Sequence, residues 1–238
     1  MEELQTSFLP LLEQEHLSKI QLAPDDRSRR VGILDGSQMG QHHVVAFDLC
    51  AQADYPPMLS YSYSRGKELP VAKQILGDSF RELFLLDSLY FNQPFFDCVR
   101  SKGAHLLIKS DEPSFREVLV DAKFVFENKK DLVVPVEEKH GFDDIRVCSW
   151  RIEKTSGEFA GYPIQITHLL EDYPKRKKNQ HRECWIVTTD LTLLPEEIRE
   201  AAHLRCHIEN NGFKRLSHHT ATKRFYFKDP KPFFTLLR

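Results

Sequence analysis

The sequence predicts an α/β protein: a mixed sheet flanked by helices and interrupted by a β-rich stretch before the last helix. Two observations carry this prediction. Between residues 31 and 109, short apolar runs give way to an alternation of β-type and helical spacing, the order that needs parallel strands with helices on the sheet faces. From about Glu112 four β-type runs follow, separated by turn signals, before a helical segment opens at Pro195.

The elements follow in order. Phe8, Leu9, Leu11, Leu12, His16, Leu17 and Ile20 have helical spacing, and Pro24, Asp25 and Asp26 break the pattern. Val31 to Asp35, His43 to Ala51 and Met58 to Ser64 read as strands. In the third, Leu59, Tyr61 and Tyr63 alternate with serines, the period of a half-buried strand. Lys67 to Gly77 is expected to be a helix, Leu83 to Asp87 a strand, Asn92 to Lys102 a helix and Ala104 to Lys109 a strand. Three strands joined by short turns form a meander, and the later spacing forms βαβ units. Asp35 then lies on the first strand and Asp87 on the fourth, the arrangement of an RNase H-like core, in which those two strands are adjacent.

Phe115 to Phe126 reads as a helix, and Leu132 to Val136, Ile145 to Glu153, Ile164 to Leu170 and Glu183 to Thr189 as strands, with His140-Gly141 and Ser156-Gly157 marking turns. Pro195 opens a helix whose first turn holds Glu196 and Glu197, where proline is tolerated and carboxylates favour the dipole. Ile198, Ala201, Ala202, Ile208 and Leu216 fit an apolar stripe, and Arg205 and Glu209 stand one turn apart on a shared face. The expected organisation is a helical lead-in over 1–29, the first part of an RNase H-like core over 30–111, a β-rich insertion over 112–189 and a C-terminal helical part of the core over 190–238.

At 238 residues, 41% hydrophobic and 29% charged, the chain suits one sizeable core or two modest lobes. No run approaches the ~18 apolar residues of a membrane span and the N-terminus lacks a signal-peptide pattern. The cytoplasm is the expected location, without membrane partners. Cys50, Cys98, Cys148, Cys184 and Cys206 are scattered and lack a C-x-x-C pair, which argues for reduced thiols rather than a disulfide framework or a zinc ribbon. The net charge of −2 lacks the basic excess usual in DNA-binding proteins. Charge is nevertheless patterned: Lys175, Arg176, Lys177 and Lys178, followed by Arg182, form a basic run suited to a DNA backbone. An exposed solvated loop is the competing reading.

Three patches concentrate candidate chemistry: Ile33 to Ser37, Leu85 to Tyr90 and Arg205 to Glu209. Asp35, Asp87 and Glu209 on those supports can converge on hard divalent ions, which take carboxylate oxygens and keep several waters. Two such ions can hold the attacking and leaving oxygens of a phosphoryl displacement. Against this, most carboxylates only solvate a surface, and Arg205 with Glu209 can be an exposed pair worth ~0.3–0.5 kcal/mol. Gly36 to Gly40 lacks the lysine of a phosphate-binding loop, and no Ser-His-Asp or Cys-His signature is present.

These patches, with Leu85 to Lys109 and Trp185 to Leu216, resemble the catalytic domain of the DDE transposases of bacterial insertion sequences, in the IS-four-like group with a β-insertion before the glutamate. The resemblance covers most of residues 30 to 238. It implies Asp35, Asp87 and Glu209 as the catalytic, metal-binding triad, with 209 − 87 = 122 positions between the last two making room for the insertion. The group's Tyr-x-x-Arg-x-x-x-Glu-x-x-x-x-x-x-Lys signature is matched at Arg205 and Glu209. Ala202 replaces its tyrosine and Leu216 its lysine, with Lys214 and Arg215 nearby.

The resemblance implies two Mg²⁺ ions, replaceable by Mn²⁺, and double-stranded DNA as partner, both transposon ends and target. It also implies a homodimer on paired ends, phosphate contacts by Arg205, Lys214 and Arg215, and secondary contacts by Lys175 to Lys178 and Arg182. The short lead-in and the apolar pattern at Phe233 to Arg238 suggest a truncated copy. The alternatives are an inactive remnant or DNA-binding module, and an RNase H-like nuclease without strand transfer. Trp150 and Trp185 are candidates for stacking on an extruded base.

Overall fold

A computed structural model describes residues 29–39, 42–48, 58–64, 66–110, 116–128, 133–135, 144–153, 159–174 and 181–206. Among these, the strands are β1 (Val31–Met39), β2 (His42–Asp48), β3 (Met58–Tyr63), β4 (Leu83–Asp87), β5 (His105–Ser110), β6 (Val133–Pro135), β7 (Asp144–Glu153), β8 (Pro163–Asp172) and β9 (His181–Thr188). They form one nine-stranded sheet, ordered β3-β2-β1-β4-β5-β9-β8-β7-β6. The helices are α1 (Glu68–Asp78), α2 (Gln93–Ser101), α3 (Arg116–Asn128) and α4 (Pro195–Leu204), and a 3-10 turn spans Ser88–Tyr90. β4 runs parallel to both β1 and β5, and the other pairs are antiparallel. The protein is thus α/β.

Sequence alternation decides which residues meet which helices. Leu83, Phe84, Leu85 and Leu86 of β4 are all buried, as a parallel strand covered on both faces requires. Phe84 and Leu86 join Leu34, Leu106 and Ile108 in a core with Ala72 and Leu76 of α1, Phe95 and Phe96 of α2, and Leu119 of α3. Leu83 and Leu85 point the other way, joining Val31, Ile33 and Leu107 beside Ile198, Ala201 and Ala202 of α4. Each Val, Leu, Ile or Phe side chain among them, fully buried, contributes ~1.5–3 kcal/mol against the entropy of ordering the chain.

The helix ends are set by local chemistry. Asn92 Oδ1 accepts the Phe95 N–H at 3.1 Å and Pro94 occupies the first turn of α2. The helix stops where Gly103 takes φ +67° and the Ala104 N–H reaches back to the Val99 carbonyl at 3.2 Å. Lys102 Nζ then donates to the Leu76 and Ser79 carbonyls at 2.9 and 2.6 Å, and to that of Gly77, so a cation closes the C-terminal end of α1.

Three features of the structure go beyond the sequence expectation. β1 runs past Asp35 to Met39 because its hairpin with β2 continues through Ser37–Val44 and Met39–His42. Among the described residues, the strands after residue 112 continue the same sheet, with β9 paired to β5 and carrying β8, β7 and β6. The Ser88–Tyr90 turn follows Asp87 directly. The expected helix over 8–20 lies outside the described residues. Cys148 and Cys184 are buried free thiols and Cys98 and Cys206 are partly buried. Among the described residues, no helix is long and apolar enough to cross a membrane.

Candidate metal and nucleic-acid site

The parallel register of β1 and β4 brings the two aspartates together. It pairs Ile33 with Leu85, and two positions further along each strand stand Asp35 and Asp87. Strand alternation gives each carboxylate the face of the residue two before it, and Ile33 and Leu85 both lie on the α4 side. The next register pair, Asp87 with Lys109 of β5, adds an amine-bearing residue on that same face, since Leu107 also packs toward α4. Lys109 was not singled out from the sequence; only the β4–β5 register reveals it.

Asp87 does two things at the strand end. Its Oδ1 accepts the Leu89 N–H at 2.9 Å and starts the 3-10 turn, while Oδ2 lies 3.8 Å from a guanidinium nitrogen of Arg205. The same nitrogen is 3.6 Å from Asp35 Oδ1. Asp35 is only 6% exposed, so its charge needs a counter-charge close by. Arg205, its side chain 14% exposed, faces the aspartates rather than bulk water.

Arg205 arrives there because α4 is firmly held. Pro195 begins the helix and the Glu197 carboxylate accepts the Leu194 N–H at 2.6 Å. Ile198, Ala201, Ala202 and Leu204 are buried against the sheet. A buried charge network adds direction: Glu171 Oε1 of β8 accepts Arg199 Nε at 2.7 Å and lies 2.8 Å from His203 Nε2, and Arg199 also donates to the Tyr173 hydroxyl at 3.3 Å. Burial pushes the Glu171 carboxyl up, but the hydrogen bonds and charges of His203 and Arg199 outweigh it and hold it down at about 2. The described helix ends at Leu204, with Arg205 as its cap.

On the opposite face, Glu68 at the start of α1 accepts the hydroxyls of Tyr63 and Tyr90, each at 2.7 Å. Burial first, then the adjoining Glu68 carboxylate, raises both phenols far above their ordinary range, which keeps them protonated donors. This network was also not anticipated, because its three members come from β3, α1 and the turn after β4.

Of the remaining expected site residues, Glu209, Lys214, Arg215, Lys175, Arg176, Lys177 and Lys178 lie outside the described residues. Arg182 is exposed on β9 opposite Glu171. Because β9 runs antiparallel to β5, with Trp185 beside Ser110, its N-terminal end lies at the same end of the sheet as Asp87. Trp185 is 5% exposed and stacks on His168 and Phe126 at 4.2 and 5.5 Å between ring centroids, so its ring is committed to packing. Trp150 is partly buried against the core.

Asp35 and Asp87 supply hard oxygen donors in neighbouring strand positions, and the site already accepts a cation in Arg205; both features fit a divalent ion such as Mg²⁺. Among the described residues no group of three His, Cys, Asp or Glu side chains is assembled to hold one, and the expected third carboxylate, Glu209, is outside them. The chain matches no protein-family model, and no curated protein matches it closely enough to count as a relative.

Proposed function

We propose that this chain is the catalytic part of a DDE-type transposase with an RNase H-like core, acting in metal-dependent cleavage and strand transfer of DNA. The observation that carries this reading is the side-by-side placement of Asp35 within β1 and Asp87 at the end of the parallel strand β4, with Arg205 delivered to both. The order β3-β2-β1-β4-β5, antiparallel in the meander and parallel beyond it, supports the fold part of the reading. Arg182, near the start of β9, stands toward the end of the sheet that carries Asp87, which supports a DNA path.

In this reading Asp35, Asp87 and Glu209 hold the divalent ions. Bound there, such ions supply Lewis acidity for an in-line attack on a phosphodiester. Arg205 places positive charge beside two adjacent carboxylates and offers a guanidinium to a DNA phosphate. Lys109, beside Asp87, adds positive charge where a backbone would pass. Asp87 keeps one oxygen on the Leu89 N–H, which fixes the orientation of the other. Lys175 to Lys178 and Arg182 position the duplex without reading its sequence.

A second reading has its own support. Ala202, where the resemblance expects a tyrosine, is buried on the sheet-facing side of α4, so the group expected to handle a DNA end is missing. That favours an RNase H-like nuclease without strand transfer, or an inactive remnant. A duplex with a pre-cut 3′-hydroxyl end, offered with plasmid in Mg²⁺ or Mn²⁺, separates them. The proposed transposase joins the end to plasmid, and Asp87→Asn abolishes joining while the protein still folds and binds DNA. Nicking without joining selects the nuclease, and joining unchanged by Asp87→Asn refutes the assignment.

A further inference from the structure

Behind the two aspartates lies a contact that ties their strands together. Gly36 follows Asp35 and, by alternation, faces the opposite side, with Leu34 and the α1–α2 core. There the Glu68 carboxylate lies against its backbone, and a β-carbon on residue 36 would overlap that carboxylate. Tyr90, which belongs to the same core, follows Asp87 at the end of the 3-10 turn and donates to Glu68 Oε1, while Tyr63 at the end of β3 donates to Oε2. One carboxylate therefore touches the Asp35 segment, the Asp87 segment and β3.

We propose that Glu68 is a positioning residue that braces β1 at Gly36 and the end of β4 from behind and thereby sets the spacing of Asp35 and Asp87; this rests on the reading of those aspartates as metal-holding. Three features point to bracing rather than direct ligation. The carboxylate sits on the face opposite the aspartates, both its oxygens are engaged by phenols, and residue 36 has no side chain just where Glu68 needs the space. Supporting groups of this kind, when removed, typically cost ten- to a hundredfold in metal affinity.

The test measures the Mn²⁺ concentration for half-maximal DNA nicking, Mn²⁺ binding by electron paramagnetic resonance, and melting temperature. The proteins are the full chain and its Glu68→Ala, Glu68→Gln, Gly36→Ala and Gly36→Ala/Glu68→Ala variants. Glu68→Ala is expected to raise the Mn²⁺ midpoint about tenfold with nicking restored at saturation. Glu68→Gln, which keeps the shape and can still meet both phenols, stays within about threefold. A folded Glu68→Ala with an unchanged Mn²⁺ midpoint overturns the proposal.

Where Glu68→Ala folds, a melting cycle adds a second readout: Gly36→Ala lowers the melting temperature and adding Glu68→Ala recovers part of the loss because the clash is gone, whereas strictly additive losses overturn the brace. Where Glu68→Ala fails to fold, Gly36→Ala alone decides: by displacing the Glu68 carboxylate it is expected to raise the Mn²⁺ midpoint of the folded protein several-fold, and an unchanged midpoint overturns the proposal. A wild-type chain that neither binds Mn²⁺ nor nicks DNA sinks the catalytic reading, while the melting cycle still decides whether Glu68 is the brace.

Discussion

Replacing Glu171 by glutamine tests how α4, and with it Arg205, is held. The Glu171 carboxyl is held at about 2 in the folded protein against an ordinary value of 4.5. That difference corresponds to roughly 3 kcal/mol of stability at neutral pH. An independent figure agrees in size: removing one partner of a buried ion pair costs ~3–5 kcal/mol, and Glu171 is 1% exposed. Because the folded value is depressed, the contribution is complete above the unfolded value of 4.5 and is lost as pH falls from there toward about 2. For a domain of this size each kcal/mol moves the melting temperature ~2–4 °C. Glu171→Gln should therefore melt about 6–12 °C below wild type at pH 7, a gap that narrows progressively below pH 4.5. Circular dichroism melts across pH measure it directly. A gap that is absent at pH 7, or that stays constant down to pH 3, would refute the charge network as the anchor of α4.

Three further outcomes follow from the geometry. Arg205→Ala removes a cation 3.6 and 3.8 Å from the two aspartates, so Mn²⁺ binding without DNA should tighten several-fold, relief of ~1 kcal/mol of repulsion, while DNA nicking falls; calorimetry and a plasmid assay check the two halves. Trp185→Ala should cost ~3–5 kcal/mol of stability, whereas Trp185→Phe should leave the DNA dissociation constant unchanged in a fluorescence-anisotropy titration, because the buried, stacked ring is unavailable to a base. Arg182→Ala, an exposed change, should leave melting unaffected and weaken DNA binding with a salt slope lower by about one.

Much of the fold was legible because periodicity is local. The all-apolar run of β4 ends at Asp87 as read, α4 begins at Pro195 as read, and Asn92 caps α2 at the expected point. Boundaries shifted where pairing partners decide them: β1 gained Gly36 to Met39 from its hairpin with β2. That β6 to β9 extend the first sheet was not legible, since nothing in the spacing says which edge a strand joins. For the site, the adjacency of Asp35 and Asp87 followed from element order and parallel pairing. Their engagement with Arg205 did not, because an arginine on a helical stripe reads equally as an exposed ion pair. Lys109, Glu68 and Glu171 were invisible for a related reason. Each looks like an ordinary charged residue until a register or a distant tyrosine gives it a role, and Glu68 meets Tyr90 across 22 positions.

The central claim is that Asp35 and Asp87 form one divalent-cation site that acts on DNA. The most direct measurement is a calorimetric Mn²⁺ titration of the full chain and of its folded Asp35→Asn and Asp87→Asn variants, each with duplex DNA present to supply phosphate ligands. Binding by wild type that is lost in both variants is the predicted result. Binding that survives both substitutions, or no binding by the wild-type chain on DNA, would contradict it.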